Sequence, residues 1–514
     1  MTSLLVKARR TRRTHRPQDG FDRRLIAPMI LGSILNPINS SMLAVALIPI
    51  GRAFHASPAQ TVWLVSGLYL ATAVSQPVIG RLVDICGPRL LYLTGTSLVG
   101  LAGLLGVVAP NLGVLVLSRV LLGVGTSAAY PAAMYLLRAE SDRTGRQNPT
   151  GVLTALSVAN QVIAVIGPTL GGLLIGAGGW HLIFAINVPL SLACLVLGTV
   201  RLPKRPFSEW SGDRLDVTGM VLFAAMLTSF MLFLIEPSFG HWYMPVIGAA
   251  AATGFSFQET RHEQPFIDLR VLSGNIPLLA TYARQLCAYI TSYAFLYGYS
   301  QWLQDGRGLG ATVAGLLLLP MSAAAIVVTT FTGRHPQVRG KLFVGAAVQL
   351  VGIVALLTVG PGSTLWWLAV IGVLIGIPQG LNGLANQNAL YSQAEPARMG
   401  SSAGLLRTAT YLGALVASAA NAAFFQHGAT TAGMHDMTWL LLVVGLVLLL
   451  LVLVDRSLRL VGRPQPSAQA PSTPAPSAPA PSAPAPSTPS TPTDRTAPSD
   501  PSTPPTPSNP RKAT

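Results

Sequence analysis

The segment Gly80-Arg81-Leu82-Val83-Asp84-Ile85-Cys86-Gly87-Pro88-Arg89 lies between two long apolar runs and decides the interpretation of the chain. Gly80 and Gly87 permit close helix approach and a tight turn. Asp84, with Arg81 and Arg89 on either side, can form charge-assisted hydrogen bonds to the end of a neighbouring helix. We therefore expect this segment to form a latch, meaning a contact that stabilises one conformation of a helical bundle. A solvated basic loop is the simpler alternative.

Apolar runs occupy most of the remaining chain. Half of the 514 residues are hydrophobic and 10% are charged, whereas a soluble globular protein has about 25% charged residues. Each run has about 17–25 residues, which suits a helix crossing a hydrocarbon core of about 30 Å. We expect fourteen spans, near residues 25–50, 60–80, 90–109, 111–134, 151–175, 182–200, 216–235, 241–257, 276–303, 310–332, 341–360, 365–390, 400–425 and 437–456.

The distribution of positive charge predicts the orientation of these spans. With the amino terminus in the cytoplasm, cytoplasmic segments hold 29 of the 34 lysine and arginine residues, and the outer loops hold only Arg52 and Arg307. This asymmetry follows the positive-inside rule. Both termini are therefore expected on the cytoplasmic side of a cell membrane. The net charge of +16 reports this topology and indicates no nucleic-acid partner.

Composition divides the chain into five parts. We expect a basic cytoplasmic tail at 1–24, a six-helix bundle at 25–200, a linker with two further spans at 201–275, a second six-helix bundle at 276–456 and a disordered cytoplasmic tail at 457–514. The last part is rich in Pro, Ser, Thr and Ala and cannot bury enough apolar surface to become ordered. The three cysteines, Cys86, Cys194 and Cys287, follow no metal-ligand pattern. No metal or cofactor is expected.

Residues 80–89 resemble the signature loop of the major facilitator superfamily, G-x-L-x-D-x-x-G-x-R. Three later stretches are similar to patterns of its fourteen-span drug:proton antiporters. These are Leu117 to Gly125, in which Arg119, Gly123 and Gly125 fit the end of L-x-x-R-x-x-x-G-x-G, then Gly167-Pro168-Thr169-Leu170-Gly171-Gly172 (G-P-x-x-G-G), and Trp180 to Pro189 (W-R-x-x-F-x-x-N-x-P), in which His181 replaces the arginine. The resemblance covers residues 30–456. It implies an all-helical membrane fold in which two six-helix bundles enclose a cavity and spans 7 and 8 form an extra pair. It also implies proton-linked export of amphiphilic small molecules by alternating access.

The first span departs from the family pattern. The family places an acid in D-x-T-x-x-N-x-A-L-P, whereas Asn39 stands at the matching position here. No acid or histidine of the sequence lies in the middle of a span, although proton-driven cycling ordinarily uses an intramembrane Asp, Glu or His. Two explanations stay open. Either the substrate carries the proton or charge, or acids at the rims, such as Asp216 and Glu236, carry the coupling.

Three arginines, Arg119, Arg284 and Arg407, lie within the predicted spans. Each costs roughly 2.5–3.5 kcal/mol at the centre of a span, so we expect all three to face an interior cavity. Such a cavity would favour anionic or neutral polar amphiphiles over lipophilic cations such as ethidium, and Asn39→Asp would shift selectivity towards cations. A structural role, or snorkelling towards the interface, is the alternative.

Amide and aromatic side chains complete the expected cavity. Gln379, Asn382 and Asn386 share one helix face, and tyrosines crowd span 9. Aromatic walls with a few amides suit bulky amphiphilic ligands, although hydrogen bonding between helices is the alternative for the amides. The expected cavity residues are Asn36, Asn39, Arg119, Asn160, Gln161, Arg284, Tyr289, Tyr293, Gln379, Asn382, Asn386 and Arg407.

Three functions are consistent with the sequence. The first is a bacterial exporter of drugs or natural products that acts as a monomer in the lipid bilayer on a small-molecule substrate, with protons as a second partner. The second is a facilitator or importer of a polar or anionic metabolite without proton coupling. The third is a membrane enzyme or sensor. An enzyme would need convergent His, Asp or Cys chemistry and a sensor would need a soluble effector domain, and the sequence indicates neither.

Overall fold

Turns and short loops join long α-helices in the described part of the chain. The computed structural model describes residues 21–459 and 461, apart from residues 57, 62, 145–149, 205–215, 236–238, 263–264, 268, 310, 336 and 426–427. Most of the two tails predicted at 1–24 and 457–514 therefore lies outside the described residues, as does Glu236.

The first helical group ends at residue 201. Its helices are α1 Ile26–Ala53, α2 Pro58–Thr61, α3 Trp63–Cys86, α4 Pro88–Val107, α5 Leu112–Thr126, α6 Ala129–Thr144, α7 Thr150–Gly178, α8 His181–Ala185 and α9 Asn187–Arg201. Helix α1 packs against α7, α3 against α5, and α4 against α5 and α9.

Turn chemistry explains two of the breaks between these helices. Gly87 joins α3 to α4 with φ of 90°, a conformation that favours glycine, and Pro88 takes the first helical position of α4. At α5, the side chain of Asn111 accepts a hydrogen bond from the backbone N–H of Val114 and caps the helix. Both breaks lie at boundaries between predicted spans.

A helical hairpin follows the first group. It contains α10 Val217–Ile235 and α11 Tyr243–Arg261, which pack against each other, and the short α12 Leu269–Gly274 comes next. The second helical group contains α13 Ile276–Ala294, α14 Ala311–Thr332, α15 Val338–Leu356, α16 Leu365–Gln393, α17 Met399–Phe424 and α18 Thr431–Val454. Two π-helical turns, Phe295–Tyr299 and Trp302–Gly306, extend α13.

Eleven helical segments of the described chain are long and apolar enough to cross a membrane. Each of the fourteen predicted spans coincides with one helix or with consecutive helices. The three spans outside the apolar set correspond to α11, α13 and α17. Most residues of α17 are buried against other helices, where polar side chains are tolerated because they do not meet lipid. The total of fourteen spans stays a prediction.

Large apolar side chains cover much of the outer surface. Leu101, Val200, Phe331 and Val454 are 62%, 77%, 74% and 68% exposed. Monomeric soluble proteins rarely expose wide apolar patches, whereas a helix bundle in a bilayer presents such a surface to lipid. The chain is a multi-helix membrane protein.

The two helical groups meet along several helix pairs, and α6 and α7 of the first group also contact α17 and α16 of the second. Helix α3 packs against α17, and α7 packs against α14. Helix α10 of the hairpin contacts both α3 and α17.

Candidate functional site

Tyrosines from both helical groups face one another between α3, α13 and α17. The ring centroid of Tyr69 lies 5.7 Å from that of Tyr411 and 6.4 Å from that of Tyr293. Tyr289 and Tyr297 extend the row, with centroids 5.9 Å and 5.8 Å from Tyr293. The hydroxyl oxygens of Tyr69 and Tyr297 lie 3.4 Å apart. These distances are typical of aromatic pairs, and together the rings form an apolar wall that carries hydroxyl groups.

Arg407 of α17 supplies a positive charge at this wall. Its guanidinium carbon lies 4.1 Å from the ring centroid of Tyr130 on α6, which is a cation–π geometry, and the residue is only partly buried. Its N–H groups can donate to a carboxylate or phenolate oxygen. We call the following seven residues the tyrosine–arginine cluster: Tyr69, Tyr130, Tyr289, Tyr293, Tyr297, Arg407 and Tyr411.

Asn36 of α1 connects the cluster to the first helical group. The Tyr411 hydroxyl donates to Asn36 Oδ1 at 3.0 Å, and Asn36 Nδ2 donates to the hydroxyls of Thr126 and Thr72 at 3.0 Å and 3.3 Å. The structure thus brings four of the predicted cavity residues together: Asn36, Tyr289, Tyr293 and Arg407.

Three tyrosines of the cluster were not predicted. Tyr69, Tyr130 and Tyr411 each lie inside a predicted span, where a buried hydroxyl needs a polar partner, and that requirement is the signal that could have identified them. The crowding of tyrosines within span 9 is visible in the sequence. The contact between tyrosines of three different spans is not visible in the sequence.

Arg119 is enclosed within the first helical group, which differs from the expectation that it faces an open cavity. It is 1% exposed, its Nε donates to the Leu64 carbonyl at 3.0 Å, and its Nη2 donates to the Asn39 carbonyl at 3.5 Å. Its Nη1 has no hydrogen-bonding partner among the described residues. Packing within the first helical group encloses the guanidinium, so it cannot form a cationic surface together with Arg407.

Asn39 is also buried within the first group. Its Nδ2 donates to Asn187 Oδ1 at 2.6 Å, and Asn187 Nδ2 donates back to Asn39 Oδ1 at 2.9 Å. The two residues are 1% and 0% exposed, and their reciprocal bonds fasten α1 to α9. This side chain therefore faces α9 instead of an open cavity, and the shift of selectivity towards cations in Asn39→Asp stays a prediction.

Arg284 is buried in an ion pair, which differs from the expectation that it faces an open cavity and corresponds to the alternative of a structural role. Its Nη1 lies 2.6 Å from Oδ2 of Asp455, which follows α18, and its Nη2 donates to the Thr281 hydroxyl at 2.6 Å. The arginine side chain is 0% exposed. Asp455 lies at the end of the predicted span 14, and no local pattern connects it with span 9.

The amides of α16 lie mainly inside the second helical group. Asn382 donates to Gln349 at 3.3 Å and Asn386 donates to Gln285 at 3.0 Å, and the two asparagines are 1% and 0% exposed. These contacts correspond to the alternative of hydrogen bonding between helices. Gln379, one turn earlier, is only partly buried.

Gln161 lies where α7 meets α14 of the opposite group. Its Nε2 donates to the Thr329 hydroxyl at 2.9 Å, and two turns earlier the Thr154 hydroxyl donates to the Gly333 carbonyl at 3.2 Å. Asn160 instead donates to a carbonyl of its own helix at 2.6 Å. Gln161 therefore joins the two groups, whereas the main hydrogen bond of Asn160 stays within α7.

Asp84 binds the amino-terminal end of α17 across the boundary between the groups. Its Oδ1 accepts from the Gly400 N–H at 2.7 Å, and its Oδ2 accepts from the N–H and the hydroxyl of Ser401 at 2.9 Å and 2.6 Å. A carboxylate here satisfies backbone donors that a helix leaves unpaired and is attracted by the positive end of the helix dipole. The helix end that the latch segment contacts is therefore that of α17.

The backbones of α3 and α17 touch beside Asp84. A Cβ atom at Gly400 would lie 2.6 Å from the Gly80 carbonyl oxygen, and a Cβ atom at Gly404 would lie 2.9 Å from Cα of Pro77. Such contacts are too short for real side chains, so larger residues at these positions would force the helices apart.

The arginines of the latch segment have different surroundings. Arg81 is 7% exposed and interacts electrostatically with Asp84. Arg89 donates to the carbonyls of Leu202 and Thr199 at 2.8 Å and 2.9 Å, at the carboxyl-terminal end of α9, where a positive charge is favourable. Arg89 therefore stabilises the first group internally, whereas Arg81 interacts with the carboxylate that binds α17.

The glycines of the second predicted motif separate into two kinds. Gly167 and Gly171 face α1, and a Cβ atom at Gly171 would lie 2.9 Å from the Met42 carbonyl oxygen. Pro168 lies inside α7 between them. Gly172 is exposed, and no heavy atom of the described residues lies within 4 Å of its Cβ position. Only Gly167 and Gly171 contribute to the packing of α7 on α1.

Comparison with known proteins identifies relatives across most of the chain. The profile of the Major Facilitator Superfamily matches residues 29–418. The uncharacterized MFS-type transporter YwoD of Bacillus subtilis (strain 168) is 32% identical over 430 residues, which cover 80% of this chain and 92% of YwoD. The Tetracenomycin C resistance and export protein of Streptomyces glaucescens is 28% identical over 434 residues, covering 79% and 77% of the two chains.

A solved structure has the same fold. The crystal structure of the human organic anion transporter MFSD10 (TETRAN) aligns with a TM-score of 0.61 over 84% of this chain and 100% of that chain. The sequence identity is 16%, so this similarity concerns the arrangement of helices alone.

Proposed function

This chain belongs to the Major Facilitator Superfamily, and we propose that it exports amphiphilic small molecules, such as drugs or natural products, by alternating access. The observation that carries the proposal is the tyrosine–arginine cluster, to which both helical groups contribute. A surface shared by two groups changes when the groups rock against each other. The direction of transport is supported by the relative that is named an export protein.

The proposed substrate is a neutral or anionic amphiphile with a flat apolar face. Tyr289, Tyr293 and Tyr297 offer successive rings, and Arg407 offers a partly buried cation above Tyr130. With Arg284 paired and Arg119 enclosed, one arginine of the three is left at this surface. A single positive charge favours a single carboxylate or phenolate and disfavours a lipophilic cation.

The latch is the proposed gate. Asp84 bonds to α17 beside the tight contact between Gly80 and Gly400, so the two groups cannot separate at this end while those bonds persist. Arg81 lies next to Asp84 and takes part in the same contact. In this proposal the latch sets the rate of conformational exchange and does not touch the substrate.

For the proton link we propose Asp216 as the carrier. It lies directly before α10, is 4% exposed, and its Oδ2 has no hydrogen-bonding partner among the described residues. Helix α10 contacts both helices of the latch pair, α3 and α17, so a change of charge at Asp216 reaches the gate through one helix. Asp216→Asn is expected to remove stimulation by a pH gradient.

The proposed topology has fourteen spans and both termini in the cytoplasm, at the cell membrane. It is supported by the excess of basic residues in the segments assigned to that side. A reporter fused after Arg463 tests it. Activity of that reporter on the outer side alone would contradict an even number of spans.

The direct test of function is efflux from proteoliposomes loaded with a fluorescent aromatic carboxylate, with and without an imposed pH gradient. Export that the gradient accelerates is expected for the wild-type chain. Asp216→Asn should still transport but ignore the gradient, and Asp305→Asn, which changes an exposed acid, is the matched control. Equilibration that ignores the gradient in the wild type would instead establish the facilitator.

A further inference from the structure

Arg119 is a buried positive charge in neutral surroundings. The groups bound to its Nε and Nη2 are the backbone carbonyls of Leu64 and Asn39, which carry no charge. The ion pairs found in the described part of the chain do not include Arg119. Arg284, which is equally buried, has the carboxylate of Asp455 at 2.6 Å. Both arginines are buried, but among the described residues a carboxylate partner is found for Arg284 and not for Arg119.

Nη1 of Arg119 is a buried donor atom without a hydrogen-bond acceptor among the described residues. The nearby amides of Asn39 and Asn187 already bond to each other through both of their oxygens. Buried charges are ordinarily paired, because an uncompensated ion in a dry interior is strongly unfavourable.

We propose that Arg119 binds a small inorganic anion of the chloride type through Nη1, within the first helical group. One guanidinium matches one negative charge, and chloride imposes no strict geometry on its donors. The enclosure favours a small ion over the anionic group of a substrate, because Arg119 is 1% exposed.

This anion takes the role of a fixed counter-charge. The position that resembles the family's acid is occupied by Asn39, whose backbone carbonyl oxygen lies 3.5 Å from Nη2 of Arg119. A carboxylate at this position would compensate the guanidinium electrostatically. The chain as it stands needs a diffusible anion for the same purpose. The inference does not depend on the proposed export function.

The test is thermal unfolding of the purified full-length protein in chloride and in gluconate, both at an ionic strength of about 0.15 M. The wild type is expected to unfold at least about 2 °C higher in chloride. Asn39→Asp should remove this difference, because it provides a fixed negative charge. Arg307→Gln is the matched control, since it removes an arginine that bonds to the carbonyls of Gly360 and Ser363, and it should retain the full difference.

Each other result overturns the site. Equal unfolding temperatures of the wild type in the two salts would do so, as would an Asn39→Asp protein that keeps the full chloride effect. Loss of the effect in Arg307→Gln would show that chloride acts at Arg307 and not at Arg119. Where Asn39→Asp does not fold, Asn187→Asp places the carboxylate on the other member of the same amide pair and decides the matter.

Discussion

The helix pair α3–α17 contains two regions with opposite packing. Around Asp84, the backbones touch at Gly80 and Gly400, and the carboxylate binds the end of α17. Around Tyr69 and Tyr411, the same helices are kept apart by two rings whose centroids lie 5.7 Å from each other. The hydrogen bonds of the first region are either formed or broken, whereas the rings of the second region can exchange one aromatic contact for another. One helix pair thus carries both a latch and a binding surface, and separation of the latch must move the cluster.

The largest effect is expected at the latch. Asp84→Asn removes the negative charge at the positive end of α17, which is worth up to about 2 kcal/mol and so shifts the conformational equilibrium by up to about 30-fold. Efflux should fall by a comparable factor while equilibrium binding of substrate stays within a few-fold. Asp305→Asn, which changes an exposed acid, should leave both efflux and substrate binding unchanged. Loss of binding with intact efflux would refute the gating role.

At the cluster, Arg407→Gln tests the binding charge. Removing a charged hydrogen-bond donor is expected to weaken binding of an anionic aromatic compound by about tenfold, while binding of its neutral amide analogue hardly changes. Isothermal titration of both compounds measures the difference. Arg307→Gln preserves the affinity for the anion in this scheme, and equal losses for the anionic and neutral compounds would show that Arg407 acts only through packing.

A smaller effect on efflux is expected where α7 packs against α14. Gln161→Ala removes a neutral hydrogen bond between α7 and α14, worth about 1 kcal/mol, so efflux should change by about fivefold. Asn160→Ala is the control because its hydrogen bond at 2.6 Å stays inside α7. Identical efflux by the two variants would mean that the contact between α7 and α14 does not take part in conformational exchange.

The smallest effect on transport is expected for Arg89→Ala. Its partners, the carbonyls of Thr199 and Leu202, belong to the same helical group. Its loss should lower the free energy of unfolding by about 0.3–1 kcal/mol and leave efflux within about twofold, in contrast to Asp84→Asn. Denaturation and efflux measurements on one preparation separate these outcomes, and a large loss of efflux would place Arg89 in the latch.

Features with a local cause could be predicted from the sequence. Apolar runs predicted the helices, and the signature segment predicted a contact with a helix end because glycines, an acid and arginines occur within ten residues. The partner of that contact, Ser401, lies 317 positions away. Nothing in its local sequence distinguishes it from other serines that precede an apolar run.

Contacts between distant segments explain what the sequence did not predict. Arg284 and Asp455 are 171 positions apart, and Asn39 and Asn187 are 148 positions apart. A charged or amide residue in a span indicates that a polar partner exists, but it does not indicate which helix provides that partner. For this reason three arginines were assigned to one cavity, whereas the structure leaves only Arg407 at the surface between the groups.

The sign of the charge at the substrate-binding cluster distinguishes this mechanism from that of a transporter of lipophilic cations. Efflux of ethidium and of an anionic aromatic dye of similar size, measured on the same proteoliposomes, reports that sign. The wild type is expected to export the anion and to export ethidium poorly, and Arg407→Glu should reverse this preference. Robust, pH-driven ethidium efflux by the wild-type chain would contradict the proposed cluster and would place the substrate and the proton elsewhere.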